Sequence, residues 1–120
     1  MLDHISLTVL DLQKSKAFYQ KVFEPLKFKT WVDQESFAGF GNEDRPYFWL
    51  NKGSTQNKVH IAFQAKDRKT VDQFYVAAIA AGAKDHGKPG LRPEYHENYY
   101  GAFVIDIDGN NIEAICHRAE

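Results

Sequence analysis

Two histidines, His4 and His60, and one late carboxylate, Glu113, are the residues of this chain best suited to joint chemistry. Two imidazoles and a carboxylate suit borderline divalent ions. In a facial arrangement they leave coordination positions open for water or a substrate oxygen. Spacing alone is no metal signature, since 56 and 53 residues separate the three and no compact motif such as His-Glu-x-x-His is present. A single histidine on a strand is more often hydrogen-bonded or exposed than ligating. Alternation around Glu113 permits a solvated carboxylate as readily as an inward one.

The elements that must position these residues occur twice. Laying residues 4–19 on 60–75, an offset of 56, pairs His4 with His60, Ile5 with Ile61, Asp11 with Asp67, Phe18 with Phe74 and Tyr19 with Tyr75. Five of sixteen pairs are identical, where chance gives about one. Burial alone imposes similar apolar periods on unrelated segments, which accounts for Ile and Phe but not for two matched histidines.

Residues 2–10 alternate, with Ile5, Leu7 and Val9 on one face and His4, Ser6 and Thr8 on the other, as in a half-buried strand. Asp11 can cap a helix whose apolar positions Phe18, Tyr19, Val22, Phe23 and Leu26 form one buried face, ending at Pro25. Strands are expected at about 27–33, 35–41 and 46–51. The second copy repeats the order: a strand through Val59, Ile61 and Phe63, a helix opened by Asp67 and stopped by Gly82, and a short strand. An irregular stretch, Gly87–Asn98, follows, and the segments Tyr99–Asp106 and Ile112–His117 then flank Asp108-Gly109, a hairpin signal. The expectation is one α+β domain over 1–120. It consists of two tandem βαβββ modules, about 1–55 and 56–120, forming a cupped mixed sheet with one helix per module and a shared cleft.

Composition bounds the partners. The chain has 120 residues, 43% hydrophobic and 26% charged, the size of one domain. Its 15 basic and 16 acidic residues give a net charge of −1 without long single-sign blocks. No nucleic-acid surface is advertised, and a small-molecule partner is expected. No window approaches the ~18 apolar residues of a membrane span. A lone Cys116 excludes an internal disulfide framework, and the opening Met1-Leu2-Asp3-His4 is unlike a secretion signal, so a cytoplasmic location is expected.

His4-Ile5, Phe18-Tyr19, His60-Ile61 and the terminal run from Tyr100 through Asp108-Gly109-Asn110-Asn111-Ile112-Glu113 together resemble the vicinal oxygen chelate superfamily, which includes glyoxalases, bleomycin-resistance proteins and extradiol dioxygenases. The resemblance covers nearly the whole chain. It implies paired βαβββ modules around one divalent ion, a homodimer, and His4, His60 and Glu113 at the ligand positions; iron, manganese, nickel, cobalt and zinc all accept such a ligand set. The sequence departs from glyoxalase I, because the segment 46–51 offers Phe48 and Trp49 where a further carboxylate is expected. It departs from the dioxygenases in having Phe103 and Ile107 in place of a Tyr and a Pro.

Other candidates are weaker. His96, in the aromatic stretch Arg92–Tyr100, could act as general acid or base over an open metal face, and Tyr100 could donate to a metal-bound oxygen. Tyr47, Trp49 and Phe103 could wall an apolar pocket, although core packing explains aromatics equally well. His86 and His117 have no counterpart in the repeat, and Cys116 reads as a small buried residue. Two functions follow. One is a metal-dependent enzyme of lyase, dioxygenase or transferase type acting on a small substrate chelated through its oxygens. The other is a non-catalytic binding protein of the bleomycin-resistance type.

Overall fold

The computed structural model describes residues 2–54 and 58–120, and the chain divides into two compact units, Met1–Asn57 and Lys58–Glu120. Each unit is a βαβββ module with its own four-stranded mixed sheet.

In the first unit β1 (Ile5–Val9) leads into α1 (Leu12–Phe23), followed by β2 (Lys29–Asp33), β3 (Phe37–Gly41) and β4 (Pro46–Lys52). The sheet order is β1-β4-β3-β2, with β1 parallel to β4 and the other pairs antiparallel. The expected alternation is present: Leu7 and Val9 are buried while Ser6 and Thr8 are exposed. Strand β1 is shorter than predicted, and His4 stands one residue before it. Asp11 caps α1 by accepting from the Lys14 N–H at 3.1 Å. The helix buries Phe18, Tyr19, Val22 and Phe23. Tyr19 and Phe23 bring their rings within 4.8 and 5.1 Å of Phe48 on β4, centroid to centroid. Fully burying each such side chain contributes about 1.5–3 kcal/mol, so this aromatic cluster is the main tie between helix and sheet.

The second unit repeats the plan with β5 (His60–Gln64), α2 (Arg68–Ala80), β6 (Lys84–Leu91), β7 (Tyr100–Ile105) and β8 (Asn111–Cys116), in the order β5-β8-β7-β6. Asp67 caps α2, accepting from the Thr70 N–H at 2.8 Å and the Thr70 hydroxyl at 2.6 Å. Gly82 stops the helix at a φ of 107°, a left-handed conformation that favours glycine. The predicted β7–β8 hairpin is there. Asp106 accepts from the backbone of Asp108 and Asn110, and the Asn110 side chain accepts from Val59 N–H at 3.0 Å, tying the turn to the start of β5.

One expectation is corrected. Residues 87–91, read as the start of an irregular stretch, continue β6, pairing Gly87 with Phe103, Gly90 with Gly101 and Leu91 with Tyr100. Two register shifts, around Gly87, break the period of two that marks a strand. Pro89 is tolerated because β6 is an edge strand. Among the described residues, no helix is long and apolar enough to cross a membrane.

The two sheets also match in register. Ile5 pairs with Phe48 and Ser6 with Trp49 in the first unit, as Ile61 pairs with Ile112 and Ala62 with Glu113 in the second. Trp49 is therefore the positional twin of Glu113. Its indole covers Gly39, where an added Cβ would lie 2.7 Å from the ring.

Candidate functional site

Within the second unit, β5 and β8 run side by side and bring His60 and Glu113 together: His60 Nε2 lies 2.9 Å from Glu113 Oε1. The carboxylate is 1% exposed, whereas the His60 side chain is half exposed. Burying a carboxylate is costly unless its oxygens are satisfied, and both are. The second oxygen, Oε2, accepts a hydrogen bond from the Tyr99 hydroxyl. Burial, and then the bond to Glu113, push the Tyr99 phenol well above its ordinary value, so it remains a donor at any working pH. Gly101 makes room for this contact: a Cβ there would sit 3.2 Å from the Tyr99 ring and 3.3 Å from Glu113 Oε2.

The Phe103 ring lies 6.0 Å from the imidazole of His60, centroid to centroid. With Tyr95, Tyr99 and Glu113 these rings line a cavity of about 380 Å³. A second hollow of about 430 Å³ shares His60, Tyr95 and Phe103 and extends along β6 and the following loop. Both fall within the range of small-ligand sites.

The same two atoms could hold a metal ion in place of their hydrogen bond. Bonds of about 2.1 Å meeting at a right angle hold two ligand atoms about 3 Å apart, close to the His60–Glu113 spacing. Tyr99 would then act as the outer partner that orients a ligating carboxylate. His4 belongs to the first unit, where its Nδ1 lies 2.7 Å from Asp3 Oδ1. Arg45 grips the same Asp3 at 2.6 Å. His4, then Arg45, hold the Asp3 carboxyl below its ordinary range. With Nδ1 as donor, the lone pair of His4 is on Nε2, the tautomer a ligating imidazole needs. Among the described residues, no three His, Cys, Asp or Glu side chains form a group that could hold a metal ion.

The remaining predicted residues divide. Phe103 lines both cavities, while Tyr47 and Trp49 lie on β4 of the first unit, Tyr47 under the Arg45 guanidinium. Tyr100 turns away from the carboxylate: its hydroxyl donates to Asp72 of α2 at 2.7 Å, with Arg68 over its ring. Burial and Asp72 push that phenol up to about 12. The tyrosine that meets Glu113 is its neighbour Tyr99. His96 is in the wall of neither cavity and pairs instead with His117, Nε2 to Nδ1 at 2.9 Å, with the rings stacked. Tyr99, Arg92 and Asn111 were not singled out from the sequence. A Tyr-Tyr pair entering a strand does not say which ring faces which side.

The family model of the glyoxalase/bleomycin resistance protein/dioxygenase superfamily matches residues 1–114. Among solved structures, a glyoxalase/bleomycin resistance protein from Albidiferax ferrireducens T118 superposes with a TM-score of 0.86 at 27% identity, covering 97% of this chain and 98% of the other. Lactoylglutathione lyase from Agrobacterium tumefaciens has a TM-score of 0.73 at 17% identity, over 97% and 92% of the two chains. TioX from Micromonospora sp. ML1 has a TM-score of 0.76 at 15% identity, over 98% and 99%. The last two likenesses are of fold alone. No curated protein matches the chain. A repeated βαβββ module in two matching registers, and a family match running from the first residue into β8, give one conclusion: the chain belongs to the glyoxalase/bleomycin resistance protein/dioxygenase superfamily.

Proposed function

We propose that the protein is a metal-dependent enzyme acting on a small substrate that presents its oxygens to a divalent ion held by His4, His60 and Glu113. The observation that carries this reading is the His60–Glu113 pair at 2.9 Å, with the second carboxylate oxygen anchored by Tyr99. A merely solvated glutamate has no need of a buried position beside a half-exposed imidazole at the wall of a cavity. A divalent ion bound there supplies positive charge against negative charge that develops on a substrate oxygen.

The chain's own residues do the rest. Tyr99 holds Glu113 in one orientation, the buried setting keeps water off the carboxylate, and Phe103 and Tyr95 form an apolar wall for the substrate's body. The ligand set accommodates iron, manganese, nickel, cobalt or zinc, and it serves lyase, dioxygenase and transferase chemistry alike. A cytoplasmic homodimer is part of the proposal.

Metal analysis of the purified protein tests it. The wild type is expected to carry about one divalent ion per chain, and His4→Ala, His60→Ala and Glu113→Ala to lose it. Equal, low metal in all four would overturn the proposal in favour of a metal-free binding cavity of the bleomycin-resistance kind.

A further inference from the structure

The larger hollow of the second unit contains a charged group and an acceptor that the residues described do not satisfy. Arg92 and Asn111 both line it, and the Arg92 Nε and Asn111 Oδ1 atoms are buried without a hydrogen-bond partner. Buried polar groups are nearly always paired, so two orphans of opposite kind single out Arg92 and Asn111 as the residues of this wall with hydrogen-bonding capacity to spare.

Arg92 is held for that purpose. Its Nη2 donates to the Lys88 carbonyl at 2.5 Å, and its guanidinium carbon lies 5.6 Å from the centre of the Phe103 ring. Gly87 permits this stack, since a Cβ there would meet Phe103 at 2.9 Å and Arg92 Nη2 at 3.2 Å. The ion pairs of the described residues join Asp3 to His4 and Arg45, Lys16 to Asp33 and His60 to Glu113, so no carboxylate neutralises Arg92. Glu94, in the same wall, is exposed and makes no ion pair with it.

We infer that Arg92 and Asn111 determine specificity, and that the substrate class is a planar organic acid bearing a hydroxyl or amino group. The Arg92 guanidinium meets the carboxylate, the Asn111 side-chain amide meets the hydroxyl or amino group, and the ring or conjugated body lies against Phe103 and Tyr95. The inference deepens the proposed function and rests on it for the place of this hollow beside His60. It assigns to Arg92 a substrate contact separate from metal binding.

Calorimetric titration of the full-length protein with 3-hydroxybenzoate, its methyl ester and benzoate tests the assignment. A carboxylate can itself bind a divalent ion, so each titration is run with and without excess chelator, and the preference assigned to Arg92 is the part that persists without metal. Loss of metal binding would leave this result standing, and the converse also holds. A charge-assisted hydrogen bond makes the acid bind about tenfold to a hundredfold more tightly than its neutral ester. Arg92→Met should abolish that preference, and Arg92→Lys should restore only part of it, because an ammonium lacks the planar fork. Asn111→Leu should remove the preference for 3-hydroxybenzoate over benzoate and leave the acid-over-ester preference intact. The comparison of ligands on the wild type requires no variant to fold. Equal binding of acid and ester, binding of neither, or an undiminished acid preference in Arg92→Met would overturn the inference.

Discussion

Removing one oxygen atom from Tyr99 should cost the protein far more than removing the same atom from Tyr100. In Tyr99→Phe, Glu113 Oε2 loses its donor while the carboxylate stays 1% exposed, leaving His60 as the remaining side-chain partner of the pair. A hydrogen bond to a charged group is worth about 1.5–3 kcal/mol. The half-buried setting of Tyr99 argues for the lower part of that range, about 1.5–2 kcal/mol. Unfolding entropy near 2.1 cal/mol/K per residue gives about 0.25 kcal/mol/K for a chain of this length, so the melting temperature should fall by about 6–8 °C. Tyr100→Phe also loses one bond, but to Asp72 on an exposed helix surface, where about 1 kcal/mol or less is at stake. Differential scanning calorimetry of both variants beside the wild type measures the contrast. Competition with a chelator should also show weaker metal retention in Tyr99→Phe, by about tenfold to a hundredfold, and none of that loss in Tyr100→Phe. Equal melting shifts, or a larger shift for Tyr100→Phe, would refute the claim that Tyr99 holds a buried carboxylate.

Gly101→Ala should act on the same contact from the other side. The new methyl meets Tyr99 and Glu113 at 3.2 and 3.3 Å, so a stability loss of about 1–3 kcal/mol with reduced metal content is expected, and wild-type melting with full metal content would count against it. Acid should act on α2 through Asp67, whose carboxyl is held below its ordinary 3.8 by the Thr70 hydroxyl and then the Thr70 N–H. A value lower in the folded state than in the unfolded one means this stabilisation is complete above about pH 4 and is lost as pH falls through the folded value. Asp67→Asn keeps a capping oxygen but cannot titrate, so its melting temperature should decline less steeply in acid. Superimposable acid limbs would show that the cap is not the titrating element.

The strands and helices that carry local signals were legible in the sequence. Asp11 and Asp67 announce the helix starts, Gly82 the helix stop and Asp108-Gly109 the hairpin, because each depends on backbone groups within a few residues. Strand β6 was only half legible: Gly87, Pro89 and Gly90 carry no alternating pattern, and the bulges shift the register where it would have been read. The inward aim of Glu113 was not legible either. Residues 112–116 are all buried, so alternation cannot separate one face of β8 from the other. The meeting of Tyr99 with Glu113 depends on which strand lies next to which and on the space left at Gly101, and both are tertiary facts. Arg92 gave no signal, because a loop arginine becomes distinctive only when its charge is seen to lack a partner.

Duplication usually grants a protein a spare. Here the repeat supplies none: the strand position that carries a carboxylate in one half holds an indole stacked on a glycine in the other. The first half has closed that position with carbon, and the second has kept it for charge. Two copies of one framework thus offer this chain no backup for Glu113. A single lesion at that residue should therefore be as final as it would be in a protein without a repeated framework.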